Sequence, residues 1–288
     1  MEKFDGPFVI LLGVQNINHG LWSVAVLSCQ DLFKTYLKMD PGDMTMYMSM
    51  IHIPWSVKII YGLISDNVPI AGTRRKSYII IMGLLQFVSL MAIYFVNSSS
   101  AVTVSILLTM ACLSEAFVNV VTDAIMCIQQ VKDPEYGSQD LVAFSWLCTC
   151  IGGILGCLIG GIMTQNFHPR YAFLGYSFFG LVIAANGMML TKESEQNVAS
   201  PNSDAANAGG QSLETSIASN ETHPDQRDPD ESKFWRKLKR NFKDIGKAIV
   251  MPEIYLVIVF FILNGLMSPD FGDFSYYFML NTCQITKF

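Results

Sequence analysis

The chain has 288 residues, a formal net charge of −5 and a pI near 5.3, with 51% apolar but only 15% charged residues. That balance excludes an ordinary soluble domain, and the charges are clumped, leaving long uncharged stretches each near the ~20 residues a helix needs to cross hydrocarbon. Only helices can do so here, because lipid offers no partner to an unpaired backbone group. The expected fold class is therefore all-α and polytopic, with about seven spans at 8–32, 44–64, 78–96, 102–128, 141–163, 171–190 and 254–280.

The first span is expected to act as its own insertion signal, since no basic segment and small-residue cleavage site precede it. It carries Gln15, Asn16, Asn18 and His19. Polar groups in lipid need an internal face or a wet cavity, and Gln15, Asn18 and His19 share one side at helical spacing. His19 reads either as a ligand or proton carrier, or as a packed hydrogen-bonding group.

The second span holds Lys58 within an apolar run and closes on Gly62 and Asp66, before a polar turn with Arg74, Arg75 and Lys76. A carboxylate at a helix end facing cations reads as a conformational latch, built from Lys58, Gly62, Asp66, Arg74 and Arg75. Plain positive-inside topology explains the cations but not Gly62 and Asp66.

In the fourth span Glu115, Asn119 and Asp123 fall at i, i+4 and i+8, along one helix face. Carboxylates in hydrocarbon suit proton coupling or recognition of an amino-bearing ring; a polar seam holding helices together is the other reading. The fifth span has Gly152, Gly156 and Gly160 at four-residue spacing, which strips side chains from one face. It reads as a packing seam, ahead of close approach to a ligand. The cysteines are scattered and suggest neither disulfides nor metal ligands.

Residues 1–191 are thus expected to form a six-helix bundle. Residues 192–232, poor in large apolar side chains, read as a flexible linker. At 233–250, Phe234, Leu238, Phe242, Ile245 and Ile249 recur at helical steps among Lys and Arg, expected to lie on a membrane face; a calmodulin-type target has the same pattern. Residues 251–288 hold the seventh span, where Asn264, Asp270 and Asp273 surround Pro269 and Gly272. That combination interrupts regular helix bonding near a site, or else places the acids at the membrane boundary. Lys and Arg concentrate on the side of Lys3, Arg74 to Lys76, Lys132, Lys192 and the cluster after Arg227, which orients the N-terminus toward the cytosol.

The run from Pro54 to Tyr78, PWSVKIIYGLISDNVPIAGTRRKSY, resembles the loop between helices 2 and 3 of the major facilitator superfamily. More narrowly, Pro54-Trp55, Lys58, Tyr61-Gly62, Ser65-Asp66, Pro69, Gly72, the basic pair and Tyr78 resemble the folate-biopterin transporter family. The run Asn119-Val120-Val121-Thr122-Asp123-Ala124 is similar to a family stretch that begins with an acid, so Asp123 matches while Asn119 departs, with Glu115 one turn away to compensate.

The resemblance implies a secondary transporter with two six-helix halves around a central site, moving folate, biopterin or a related pterin, with protons as the coupling ion. Against that architecture the chain is expected to be incomplete after its seventh span, or to find its remaining helices in trans. The implied home is the plasma membrane or an organellar membrane. The implied partners are a small molecule and lipid, and not nucleic acid.

The implied site residues are Gln15, His19, Glu115, Asn119, Asp123, Asn264 and Asp270. No phosphate loop, zinc-ligand spacing or Ser-His-Asp arrangement points to an enzyme, a cofactor or a metal. The competing readings are a non-transporting membrane scaffold and a seven-helix receptor, the latter needing its N-terminus outside.

Overall fold

The computed structural model describes residues 4–70, 73, 75–96, 100–133, 135–190, 246, 250–267 and 272–282. The 192–232 linker, nearly all of the 233–250 amphipathic segment, Arg74, Pro269 and Asp270 lie outside the described residues.

The helices are α1 (Gly6–Asp31), α2 (Pro41–Ser56), α3 (Lys58–Asn67), α4 (Lys76–Phe95), α5 (Ala101–Gln130), α6 (Gly137–Asn166), α7 (Pro169–Met189), α8 (Pro252–Met267) and α9 (Gly272–Asn281). A π-helical turn at Leu32–Tyr36 prolongs α1. Among the described residues five segments are long and apolar enough to cross a bilayer: α1 with its π turn, α4, α5, α6 and α7. The protein is an all-α, polytopic integral membrane protein.

Two expected spans each comprise two described helices. The second breaks at Val57 (φ −107°, ψ 22°) into α2 and α3. Pro54 lies inside α2, three residues before the break, where Val57 N–H reaches back only three residues to Pro54 O. The seventh is described as α8 and α9, and residues 268–271 between them lie outside the described residues. The described helices fall into two units, α1 to α7 with α9 in one and α8 in the other.

Within the first unit, glycine sets two close helix contacts. Along α1 and α6, which run parallel, a Cβ at Gly152 would overlap Ile17 O, one at Gly20 would overlap Thr149 O, and one at Gly156 would overlap Ser23 Oγ. Gly160 packs on Val24 and Leu27. This is the seam that the 152, 156, 160 spacing suggests, and Gly153, one residue off it, has open space. A second contact joins α4 and α7, antiparallel, where Cβ atoms at Gly83 and Gly180 would lie 2.7 Å and 2.6 Å from each other's carbonyl oxygens.

The core forms two apolar clusters. One is built on Leu21, Trp22, Leu32, Phe33, Met44, Leu90 and Leu108. The other is built on Phe8, Leu11, Tyr61, Tyr78, Phe117, Val121 and Leu141, with Phe117 stacked between Tyr61 and Tyr78 at 5.2 and 5.1 Å.

Polar side chains from the middle of α1, α4 and α5 sit among these helices. Asn18 and Gln86 exchange amide hydrogen bonds of 3.4 and 3.2 Å, and Tyr176 Oη donates to Asn18 O at 3.1 Å. Ser114 Oγ donates to Met82 O. Buried amides survive in apolar surroundings when they pair in this way, which fixes how α1, α4, α5 and α7 meet.

The helix ends are tied by charge. Asp5, before α1, accepts from Gln129 Nε2 at 2.6 Å and pairs with Lys132 Nζ at 2.9 Å. The Lys132 hydrogen bond holds its carboxyl below the usual range. Lys76 Nζ donates to Met188 O and Leu190 O at 2.7 and 3.0 Å, placing a cation on the free carbonyls that end α7.

At the opposite end His168 caps α7, its Nδ1 accepting from Arg170 N–H at 3.3 Å. Burial, and then the Arg170 charge, keep His168 below its ordinary pKa, so Nδ1 stays free to accept. Tyr277 on α9 donates to Met39 O at 2.6 Å, and Lys34 Nζ lies 4.8 Å from the Tyr277 ring centroid.

Candidate functional site

The break at Val57 begins α3 at Lys58, beside Trp55, and both face α5. Lys58 Nζ donates to Asn119 Oδ1 at 2.8 Å and sits 4.1 Å from the Trp55 ring centroid, a cation–π distance. On the other side of Trp55, at 5.0 Å, lies the His19 ring from α1. His19 Nδ1 bonds Glu115 Oε1 at 2.9 Å; Glu115 is wholly buried, while the imidazole is 37% exposed.

His19, Trp55, Lys58 and Asn119 border a cavity of about 320 Å³, with Asp123, Met126, Ser145 and Trp146 toward the Gly137 end and Asn16 and Thr149 nearer the middle. Asn16 Nδ2 donates to Leu12 O at 2.8 Å and its Oδ1 accepts from Thr149 at 3.2 Å. Lys58 and Asp123 attract each other across this space, so a cation and a carboxylate face the cavity beside the His19–Glu115 pair.

The face read from the i, i+4, i+8 spacing is graded. Glu115 is sealed, Asn119 half-buried and Asp123 open to the cavity. Glu115 Oε2, Thr122 Oγ1 and both amide atoms of Gln15 are buried without a hydrogen-bond partner among the described residues. Gln15 is fully buried and absent from the cavity wall, so α1 presents His19 and Asn16 to the cavity instead.

Asn264 is exposed on α8, in the other unit; Asp270 lies outside the described residues, and Asp273 is placed only as a position on α9. Among the described residues no group of three His, Cys, Asp or Glu side chains could hold a metal ion.

The residues expected to form a latch divide in two. Arg75 Nη2 donates to Asp66 Oδ1 at 3.2 Å, with Arg75 almost buried and Asp66 half exposed. Around that pair Ile70 and Thr73 exchange backbone bonds, Ser77 Oγ donates to Ile70 O at 2.9 Å, and Tyr78 Oη donates to Val68 O at 2.9 Å. Gly62 meets Val120 at an ordinary 3.6 Å. Lys58 is not part of that clasp; its amine is bonded in the cavity.

Sequence reasoning passed over Trp55 and Trp146 as site residues and Gln86 as a structural one. Gln86 had a signal, being the one amide inside an otherwise apolar 78–96 stretch. Trp146 had none, because an indole in a membrane helix reads equally well as lipid-facing.

A family model described as the BT1 family matches residues 19–284. The chain is 23% identical to "Probable folate-biopterin transporter 4" of Arabidopsis thaliana over 99% of its own length and 64% of that protein. It is 32% identical to "Probable folate-biopterin transporter 7" of the same plant over 61% of its length and 40% of that protein. To "Folate transporter 2" of Plasmodium falciparum (isolate 3D7) it is 26% identical over 67% of its length and 42% of that protein.

The chain therefore spans about two fifths to two thirds of the length of these relatives. No solved structure is a significant match. With a helical bundle, a polar cavity and a family match running through nearly all of it, the chain belongs to the BT1 family, that of the folate-biopterin transporters.

Proposed function

We propose that this chain supplies a substrate-binding half of a secondary transporter for folate- or pterin-type molecules. The observation that carries this reading is the cavity in which Lys58 and Asp123 face each other beside the His19–Glu115 pair. Ionisable groups in a membrane bundle are costly, and they gather where a substrate or ion passes.

Asp123 is the acid open to the cavity, so its carboxylate accepts the adjacent N–H donors of an amino-pyrimidinone edge. Glu115 is already bonded to His19 and acts differently, the two together holding a proton that moves with the substrate. The names of the similar plant and Plasmodium proteins support the substrate class.

The carrier works by alternating access, with a second helical half, in the same polypeptide or in trans, rocking against this one. The Asp66–Arg75 pair at the mouth of the α3–α4 turn is the latch that holds one conformer. The N-terminus faces the cytosol, as the Lys and Arg bias of the sequence supports, and the plasma membrane is the home membrane.

The test is equilibrium binding of radiolabelled folic acid and biopterin to the chain in lipid nanodiscs. Saturable binding that weakens at least about tenfold, near 1.4 kcal/mol, in both Asp123→Asn and Lys58→Met is the expected result. No binding by the unaltered chain, or equal binding by all three proteins, overturns it.

A further inference from the structure

The cavity has two indoles, and they are in different states. Trp55 is flanked by the Lys58 amine at 4.1 Å and the His19 ring at 5.0 Å. Trp146, on α6, lines the same cavity, is 66% exposed, and has no ring or hydrogen-bond partner among the described residues.

Its level in the bundle is fixed by its neighbours. Thr149 bonds Asn16, while Ser145 meets Met126 of α5 at 3.8 Å, so Trp146 lies with Asp123 and Met126 toward the Gly137 end. A large aromatic face left open beside a carboxylate is a stacking platform next to a hydrogen-bond acceptor.

Two further observations narrow the ligand. The volume, about 320 Å³, is at the small end of ligand cavities, enough to enclose a fused bicyclic ring while any long tail stays outside it. The charge is balanced, with Lys58 against Asp123, which favours a neutral ring over a dianion.

We propose that Trp146 is the stacking platform of this cavity, holding the bicyclic amino-pyrimidinone head of the substrate face-on while Asp123 takes its donor edge, and that the cavity reads this head alone. This rests on the substrate-binding role proposed above and adds the residue and the part of the ligand that set specificity. A planar heterocycle gains affinity from an aromatic face whatever its edge substituents, so Trp146 supplies strength and Asp123 supplies discrimination.

The experiment uses the chain in nanodiscs with radiolabelled biopterin, which has the ring and lacks the benzoyl-glutamate tail. Trp146→Ala is expected to weaken binding at least about tenfold, and Trp146→Phe, which keeps an aromatic face, to stay within about threefold. Leu155→Ala, nine residues on and so on the opposite face of the same helix, outside the cavity wall, is expected to bind as the unaltered chain does, which separates stacking from general damage to α6. Unlabelled p-aminobenzoyl-glutamate is expected not to displace the label.

If Trp146→Ala binds like the unaltered chain, or the tail fragment displaces biopterin, while Asp123→Asn still loses binding, the Trp146 platform is overturned and the substrate-binding role stands. If the unaltered chain binds neither biopterin nor folic acid, both fall.

Discussion

Glu115 and His19 illustrate what a single contact inside lipid does. A wholly buried carboxylate with one oxygen on an imidazole depends on that partner, and the imidazole is the member the cavity can reach. Lys58, His52, Cys112 and Tyr176 are further titratable groups around Glu115, and Lys58 and Asp123 lie near His19. Glu115→Gln keeps the size and a hydrogen bond to His19 but removes the charge. It is expected to flatten the pH dependence of folate binding around neutral pH, where a histidine–carboxylate pair can exchange its proton. A binding curve measured at several pH values checks this, and an unchanged profile would take the pair out of proton coupling.

Much of this level was legible from spacing. The i, i+4, i+8 acids do share a face, and Lys58 stood out as a cation in an apolar run. Its partner could not be read, because the partner depends on how α3 turns after Pro54. A charge in a sequence shows that compensation is needed, but not from where it comes. The same limit hid the different fates of Gln15 and Asn16: adjacent residues on a helix point about 100° apart, and which of them meets α6 is decided by the packing of α1.

At the scale of elements, the α1–α6 seam makes a sharp contrast between adjacent glycines. Gly152→Ala puts a methyl group into Ile17 O and is expected to lower stability by about 1 to 3 kcal/mol, whereas Gly153→Ala, facing open space, should change it little. Thermal unfolding of the two variants in the same detergent checks the difference. Gly83→Ala belongs with the first, since its Cβ would lie 2.7 Å from Gly180 O.

The first seam was legible because three glycines repeat every four residues on one helix. The second was not, since one glycine on each of two helices carries no spacing. The break at Val57 was hidden for a related reason. Pro54 is visible in the sequence, but α2 continues through it to Ser56, and where the helix yields depends on surroundings the sequence does not display.

For the whole molecule, the ends of α1, α5 and α7 at the Asp5 side are bound by Asp5 with Lys132 and by Lys76 on the last carbonyls of α7. Asp5 has its carboxyl held down in the folded chain, so its contribution is full above the ordinary aspartate pKa near 3.9 and disappears as pH falls through the lower folded value. Asp5→Asn is therefore expected to lower the unfolding midpoint at pH 7 slightly, by the roughly 0 to 1 kcal/mol typical of an exposed pair, and to make no difference in strong acid. Melting curves at pH 7 and at about pH 1.5 distinguish the two cases.

The all-helical, membrane-crossing character was legible from composition alone, and the family from one loop. The grouping of α9 with α1 to α7 was not, because it rests on contacts between residues far apart in the chain.

The bond from Tyr277 to Met39 joins residues 238 positions apart. During synthesis that connection closes long after the earlier helices have entered the bilayer, so the first seven helices must be retained by their glycine contacts and buried amides while the ribosome is still adding the rest. Among the described helices α9 then behaves as a keystone, and a nascent chain arrested before residue 272 would lack the Tyr276 and Tyr277 rings that lie beside Lys34.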